Sequence, residues 1–197
     1  MSKAERTTKY IIETVAPIFN RNGYSGTSLS DITDATGLTK GAVYGNFESK
    51  EELALKAFNH NVKLVFDTLT EQTDKESTVI GKLKAITRFY REYPVLTHCL
   101  GGCPLLNVGV DSNHQNELLH NRVIEVNLKL KRNLNNMLLL GIEKQEIKPD
   151  VDTEKYAGLI IGMIEGSVYM TFVLNDDRYM KDMMHQIEHI IDTELTA

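Results

Sequence analysis

Residues able to do chemistry are few in this chain and lie far apart. Cys99 and Cys103 stand four apart around Gly101 and Gly102, with His98 and His114 nearby. That set mixes soft and borderline metal donors, and as a thiol pair it could form a disulfide or react with electrophiles. Inert core cysteines are the commoner case. His185 and His189 also stand four apart, but the run HQIEH lacks the glutamate placement of the zinc-protease motif. The serines have no matching His and Asp pattern, and no strand precedes a glycine-rich phosphate loop. Two cysteines are too few for a disulfide framework or a zinc site of their own. The residue types thus assign no catalytic residue, no metal and no cofactor, and the chain is not expected to be an enzyme.

The elements that must position any function are helices, and residues 27–50, TSLSDITDATGLTKGAVYGNFESK, organise the rest. Ser28 with Asp31 is a capping-box pattern, after which Leu29, Ile32 and Ala35 space apolar residues along one helical face. Gly37 suits a left-handed C-terminal cap. Thr39 then caps a second short helix over 40–46, with Val43 and Phe47 on its inner side. Ser49 with Glu52 repeats the box and opens a long helix. Two helices joined by a tight glycine turn are the helix-turn-helix arrangement, whose second helix enters the DNA major groove.

Residues 19–58, FNRNGYSGTSLSDITDATGLTKGAVYGNFESKEELALKAF, resemble the DNA-binding region of the TetR family of transcriptional regulators. The marks are Phe19, Gly23 and Tyr24, Thr27, Ile32, Ala35, Gly37, the KGAVY run at 40–44, Phe47, and Lys50, Glu52 and Leu53. The resemblance implies an all-α fold, with a helix-turn-helix three-helix domain at 1–48 joined to a larger helical ligand-binding and dimerisation domain at 49–197. It also implies a cytoplasmic homodimer that represses from a palindromic double-stranded DNA operator and is released by a small hydrophobic or aromatic effector. Position by position, Thr27 and Ser28 would hold phosphate at a helix N-terminus. Thr39, Lys40 and Tyr44 lie on or beside the recognition helix, where Gly41 permits close approach. Lys40 and Asn46 would read bases, and Lys50 would contact a phosphate. Gly45 and Asn46 stand where many relatives carry larger or basic side chains, so the reading head is lightly armed.

At 197 residues, with 42% hydrophobic and 25% charged content and only four prolines, the composition favours a folded, helical protein over disorder. The net charge of −5 runs against the basic footprint of a nucleic-acid binder. The acid lies mainly beyond residue 50, while Lys3, Arg6, Lys9, Lys40 and Lys50 form a local basic set near the head. The start, MSKAERTTKY, lacks the apolar core of a secretory signal, which fits the cytoplasm.

Ile12, Val15, Ala16 and Phe19 predict a first helix over 4–20, with Pro17 bending or breaking it near 13–16. The helix from 49 to 71 should face inward with Leu53, Ala57, His60, Leu64 and Phe66. Another helix should span 78–93, followed by an irregular segment and a short helix from Pro104. A long helix over 116–144 then presents Leu119, Val123, Val126, Leu130, Leu134 and Met137. Residues 156–174 are almost all apolar and long enough to cross a bilayer, with Glu165 in the middle; since the other helices are amphipathic, the stretch reads as a buried helix and no membrane partner is expected. Gly158, Gly162 and Gly166 share one face and allow close helix approach. The resemblance implies that this helix and the last one form the dimer interface, through these glycines with Met183, Ile187 and Ile191; close packing within one subunit is the alternative. Tyr90, Tyr93, Cys103, Asn107, Met163, Tyr169 and Phe172 have the apolar bodies and polar tips of an effector site. The alternative function is a redox or electrophile sensor in which Cys99 and Cys103 control DNA binding.

Overall fold

The computed structural model describes residues 2–197, all but the first residue of the chain. Ten α-helices run in order: α1 (Lys3–Gly26), α2 (Leu29–Thr36), α3 (Lys40–Tyr44), α4 (Lys50–Thr73), α5 (Val79–Arg91), α6 (Tyr93–His98), α7 (Pro104–Ser112), α8 (Glu117–Glu143), α9 (Thr153–Leu174) and α10 (Arg178–Ile190). A π-helical turn, Ile191–Leu195, closes the chain. Ordered helix starts follow from local capping. Ser2, Ser28, Thr39, Thr78 and Asp152 each accept a hydrogen bond from an amide in the first turn of the helix they precede, a type of contact that contributes about 1 kcal/mol.

The helices pack as two units, one of residues 1–65 with 97–124, the other of residues 66–96 with 125–197. This division by packing differs from the functional boundary expected after residue 48, because α7 packs on α1 within the first unit. There α1 contributes Ile11, Val15, Ala16 and Phe19 to a core completed by Ile32, Val43, Phe47, Leu53, Ala57 and Phe58. The helical dihedrals of α1 are interrupted at Gly23 (φ 76°), not near Pro17. Glu13, whose carbonyl loses its partner to the proline, is exposed, so water can satisfy it. The inner face of α4 also departs from expectation. Leu53 and Ala57 are buried, but the stripe continues through Ala54, Phe58, Asn61, Val62 and Val65, leaving Leu64 exposed and His60 and Phe66 half-buried.

In the second unit α10 packs on both α9 and α5. Glu188 of α10 accepts from Thr87 Oγ1 at 2.6 Å and pairs with Arg91 at 2.6 Å. Burial works to raise the Glu188 carboxyl, yet these two donors outweigh it and hold the group below its ordinary range. Glu146 accepts from the amides of Val79 and Ile80 and so caps α5 from a distance in sequence. Seven residues of α9, including Ile160, Ile164 and Val168, are buried. The helix is long and apolar enough to span a bilayer, and a third of its apolar window is buried, leaving Leu159, Tyr169, Val173 and Leu174 exposed. The irregular 95–114 region resolves into the end of α6, a turn with Gly101 (φ 82°) and Gly102 (φ 109°), and α7, which starts at Pro104.

Candidate nucleic-acid interface

The corner between α1 and α2 is built from short-range bonds. Thr27 is 0% exposed and its hydroxyl donates to the carbonyl of Gly23. This corrects its assignment to phosphate: the side chain ties off α1 and cannot reach DNA. Ser28 is exposed but occupied, its hydroxyl accepting from Asp31 N–H and donating to Asp31 Oδ2 while its own amide donates to the same carboxylate. The Ser28 hydroxyl and amide hold the Asp31 carboxyl below its usual range, with Lys50 adding to the effect. The amides of Leu29 and Ser30 make no hydrogen bond among the described residues, and they are the α2 donors left to meet a phosphate.

Gly37 sits in the left-handed region (φ 66°) and turns the chain toward α3. Thr39 caps α3 through Ala42 N–H. Lys40 and Gly41 are exposed, and no atom lies within 4 Å of where a Cβ on Gly41 would stand. The first turn of α3 is therefore open to close approach by another backbone or a base edge. Tyr44 is half-buried beside it. Asn46 lies beyond the end of α3 and is turned inward: Oδ1 accepts from the Thr8 hydroxyl at 2.9 Å and Nδ2 donates to Ala42 O at 2.8 Å. Its amide binds the end of α3 to α1, which corrects its assignment as a base reader. Tyr10 ties α1 to the end of α2 in the same way, donating to Thr36 O.

Lys50, at the start of α4, holds its ammonium 4.4 Å from the Tyr24 ring centroid, a cation–π contact. Burial lowers its pKa, opposed by the charges of Asp111 and Asp31. Asp111 is a residue the sequence did not single out: on α7, it accepts the Tyr24 amide at 2.7 Å. Three further side chains fasten this segment to the end of α1. Asn20 Nδ2 donates to the carbonyls of Leu100 and Gly102, Asn107 Nδ2 donates to those of Asn20 and Gly101, and the Ser25 hydroxyl donates to Gln115 Oε1. A single sequence gives no signal for pairings some ninety residues apart.

The effector candidates separate. Tyr90 and Tyr93 are buried with Phe89 in an aromatic cluster with centroids 5.1–5.8 Å apart. Met163 and Phe172 are half-buried, while Tyr169 is 49% exposed on α9. Cys103 and Asn107 belong to the first packing unit, where Cys103 is buried with its Sγ accepting from Leu106 N–H and Asn107 spends its amide on the α1 staples. Cys99 is exposed, and no group of three metal-ligating side chains exists among the described residues. The dimer candidates separate too. Gly158, Gly162 and Gly166 are exposed, and a Cβ at either of the last two would meet nothing within 4 Å. Met183 is half-buried, but Ile187 and Ile191 are each 1% exposed. These two isoleucines are core of their own subunit, correcting their placement at an interface.

Two family profiles match the chain: "Bacterial regulatory proteins, tetR family" over residues 11–57, and "Tetracyclin repressor-like, C-terminal domain" over residues 79–187. The fatty acid metabolism regulator protein of Bacillus subtilis (strain 168) is 24% identical over 177 residues, covering 89% of each chain. A TetR-family transcriptional regulator from Cytophaga hutchinsonii superposes with a TM-score of 0.92 at 35% identity, covering 98% of this chain and 96% of its own. A TetR transcriptional regulator from Chloroflexus aurantiacus J-10-FL gives 0.93 at 32% identity, covering 100% and 99%. With a helix-turn-helix head open at α3 and these matches along both parts of its length, the chain belongs to the TetR family of bacterial transcriptional regulators and is a DNA-binding regulator rather than an enzyme.

Proposed function

We propose that the chain is a repressor that binds a palindromic operator as a homodimer in the cytoplasm and leaves it when a small hydrophobic or aromatic molecule binds within residues 49–197. The observation that carries this reading is the bare face of α9. Gly158, Gly162 and Gly166 share it with Leu159, Tyr169 and Val173, the last 58% exposed. An apolar helix face left in water marks an interaction surface, and glycines on it let a second helix come close. Identical faces pair about a two-fold axis. Two heads related by that axis read two half-sites whose spacing the dimer sets, which suits a head whose α3 exposes a single lysine.

The Phe89, Tyr90 and Tyr93 cluster, with half-buried Met163 and Phe172 in the same packing unit, supports an aromatic-lined effector site. An effector that fits only the form with misplaced heads would draw the population off DNA in proportion to its preference for that form. The B. subtilis relative is named for fatty acid metabolism, so fatty acyl compounds belong in the first panel of effectors. The thiol-switch alternative keeps one supporting observation, the exposure of Cys99. Gel shifts with the DNA upstream of the chain's own gene, repeated with hydrophobic compounds and with oxidant, separate the readings. Palindrome-specific retention released by a hydrophobic compound supports repression by effector. Equal retention of random DNA at physiological salt sinks it, and oxidant release abolished by C99S/C103S transfers control to the thiols.

A further inference from the structure

We infer that Asp111 on α7 is a positioning residue for DNA binding, fixing the corner between α1 and α2 and restraining the Lys50 ammonium by its charge. The inference rests on the reading of Lys50 as a phosphate contact. Its geometry begins at Gly23, whose φ of 76° lies in the left-handed region. A Cβ at this position would clash with the Asp111 carboxylate, standing under 3 Å from its carbon and both oxygens. The missing side chain is therefore what admits the carboxylate to the corner, where Oδ2 accepts the Tyr24 amide at 2.7 Å. The ring of Tyr24 in turn carries the Lys50 ammonium at 4.4 Å. One carboxylate thus holds the backbone of the residue on which the lysine rests.

The acid, rather than a neutral acceptor, requires a reason. An asparagine or glutamine oxygen would accept the Tyr24 amide as well, and a negative charge beside a phosphate-binding surface weakens DNA affinity through repulsion. The charge gains a purpose if it holds Lys50 back: Asp111 and Asp31 both act on that ammonium through space, and a phosphate must compete with them for it. Because α7 is fastened along the end of α1 through Asn20, Asn107 and Gln115, a small shift of α7 that withdraws Asp111 changes the α1–α2 corner and the hold on Lys50 together.

The test is fluorescence anisotropy on operator DNA across a salt series for wild type, D111N, D111A, K50A and D111N/K50A, with thermal melts of each. D111N keeps an acceptor for Tyr24 and removes the charge, so it should bind about threefold more tightly at low salt and converge on wild type at high salt. The gain should be absent in the K50A background. D111A loses the acceptor as well and should bind more weakly than D111N. D111N binding as wild type does, or a gain that survives K50A, overturns the role of Asp111. If K50A itself binds as wild type, the phosphate reading of Lys50 has failed and Asp111 falls with it; if K50A weakens binding while D111N changes nothing, Asp111 alone is wrong. A D111A chain that unfolds leaves the test intact, because D111N and K50A both retain an acceptor for the Tyr24 amide.

Discussion

Lys40 and Asn46 stand six positions apart and have opposite surroundings. Lys40 is exposed and makes no ion pair among the described residues, whereas both polar atoms of the Asn46 amide are bonded inside the head. Lys40→Ala should therefore lower operator affinity about tenfold, the scale of one lost base contact, with an unchanged melting temperature. Asn46→Ala should do the reverse. Losing its two bonds costs about 1–2 kcal/mol of stability, visible as a lower melting temperature by circular dichroism, and the order of preference among operator variants should stay the same. Sequence showed the residue types here but not their orientation, since Asn46 differs from a base reader only in having Thr8 and Ala42 O within reach.

Glu165 puts a carboxyl on an apolar helix. Half-buried on α9, with no hydrogen bond or ion pair among the described residues, its carboxyl is pushed up to about 7 by burial. A carboxyl whose folded pKa lies above its unfolded value binds its proton more tightly in the folded state, so its burial is tolerated at low pH. The folded state then loses stability as pH rises from the unfolded pKa, levelling off above about 7. Glu165→Gln should remove that dependence and raise stability at pH 8 by about 2 kcal/mol, measured by urea unfolding at pH 5 and pH 8. An unchanged pH profile in the variant would show that Glu165 is solvated.

At the scale of elements, helix starts were the most legible feature, because a cap is local chemistry. The Ser28 box, the Gly37 turn and the Thr39 cap all lie where residue type placed them. Interiors were less legible. Pro17 predicted a break that the exposed Glu13 made unnecessary, while Gly23 made one. Helix α4 carries two overlapping apolar stripes, and neighbours rather than periodicity decided that Phe58, Val62 and Val65 go in while Leu64 stays out. A related limit applied to α10, where the resemblance grouped Ile187 with an interface and packing buried it. Two substitutions should separate core from interface. Ile187→Ala should destabilise the subunit by about 2–5 kcal/mol. Gly162→Leu adds a side chain that meets nothing in its own chain, so sedimentation should find a folded monomer with operator affinity reduced at least a hundredfold; a dimer with full affinity would place the two-fold elsewhere.

For the whole molecule, the family signature concentrated in the head and faded along the chain. The forty residues around the turn carry caps, glycines and aromatics at fixed offsets, and these can be read without a structure. The second half carries only apolar periodicity, which predicts helices but not their partners. Long-range contacts such as Glu146 capping α5, Glu188 pairing with Arg91, or Asp111 holding Tyr24 leave no local trace. The packing units differ from the expected boundary for the same reason, since the placement of α7 against α1 depends on side chains far apart in sequence.

On the proposed function, a lightly armed head reads DNA through a two-fold pair held by α9. Anisotropy and sedimentation on one labelled palindromic duplex from the chain's own upstream region, and on a copy with one half-site randomised, test it directly at physiological salt. Two subunits should bind each intact palindrome, and the half-randomised duplex should bind at least a hundredfold more weakly. One subunit per duplex, or equal affinity for both, would contradict it.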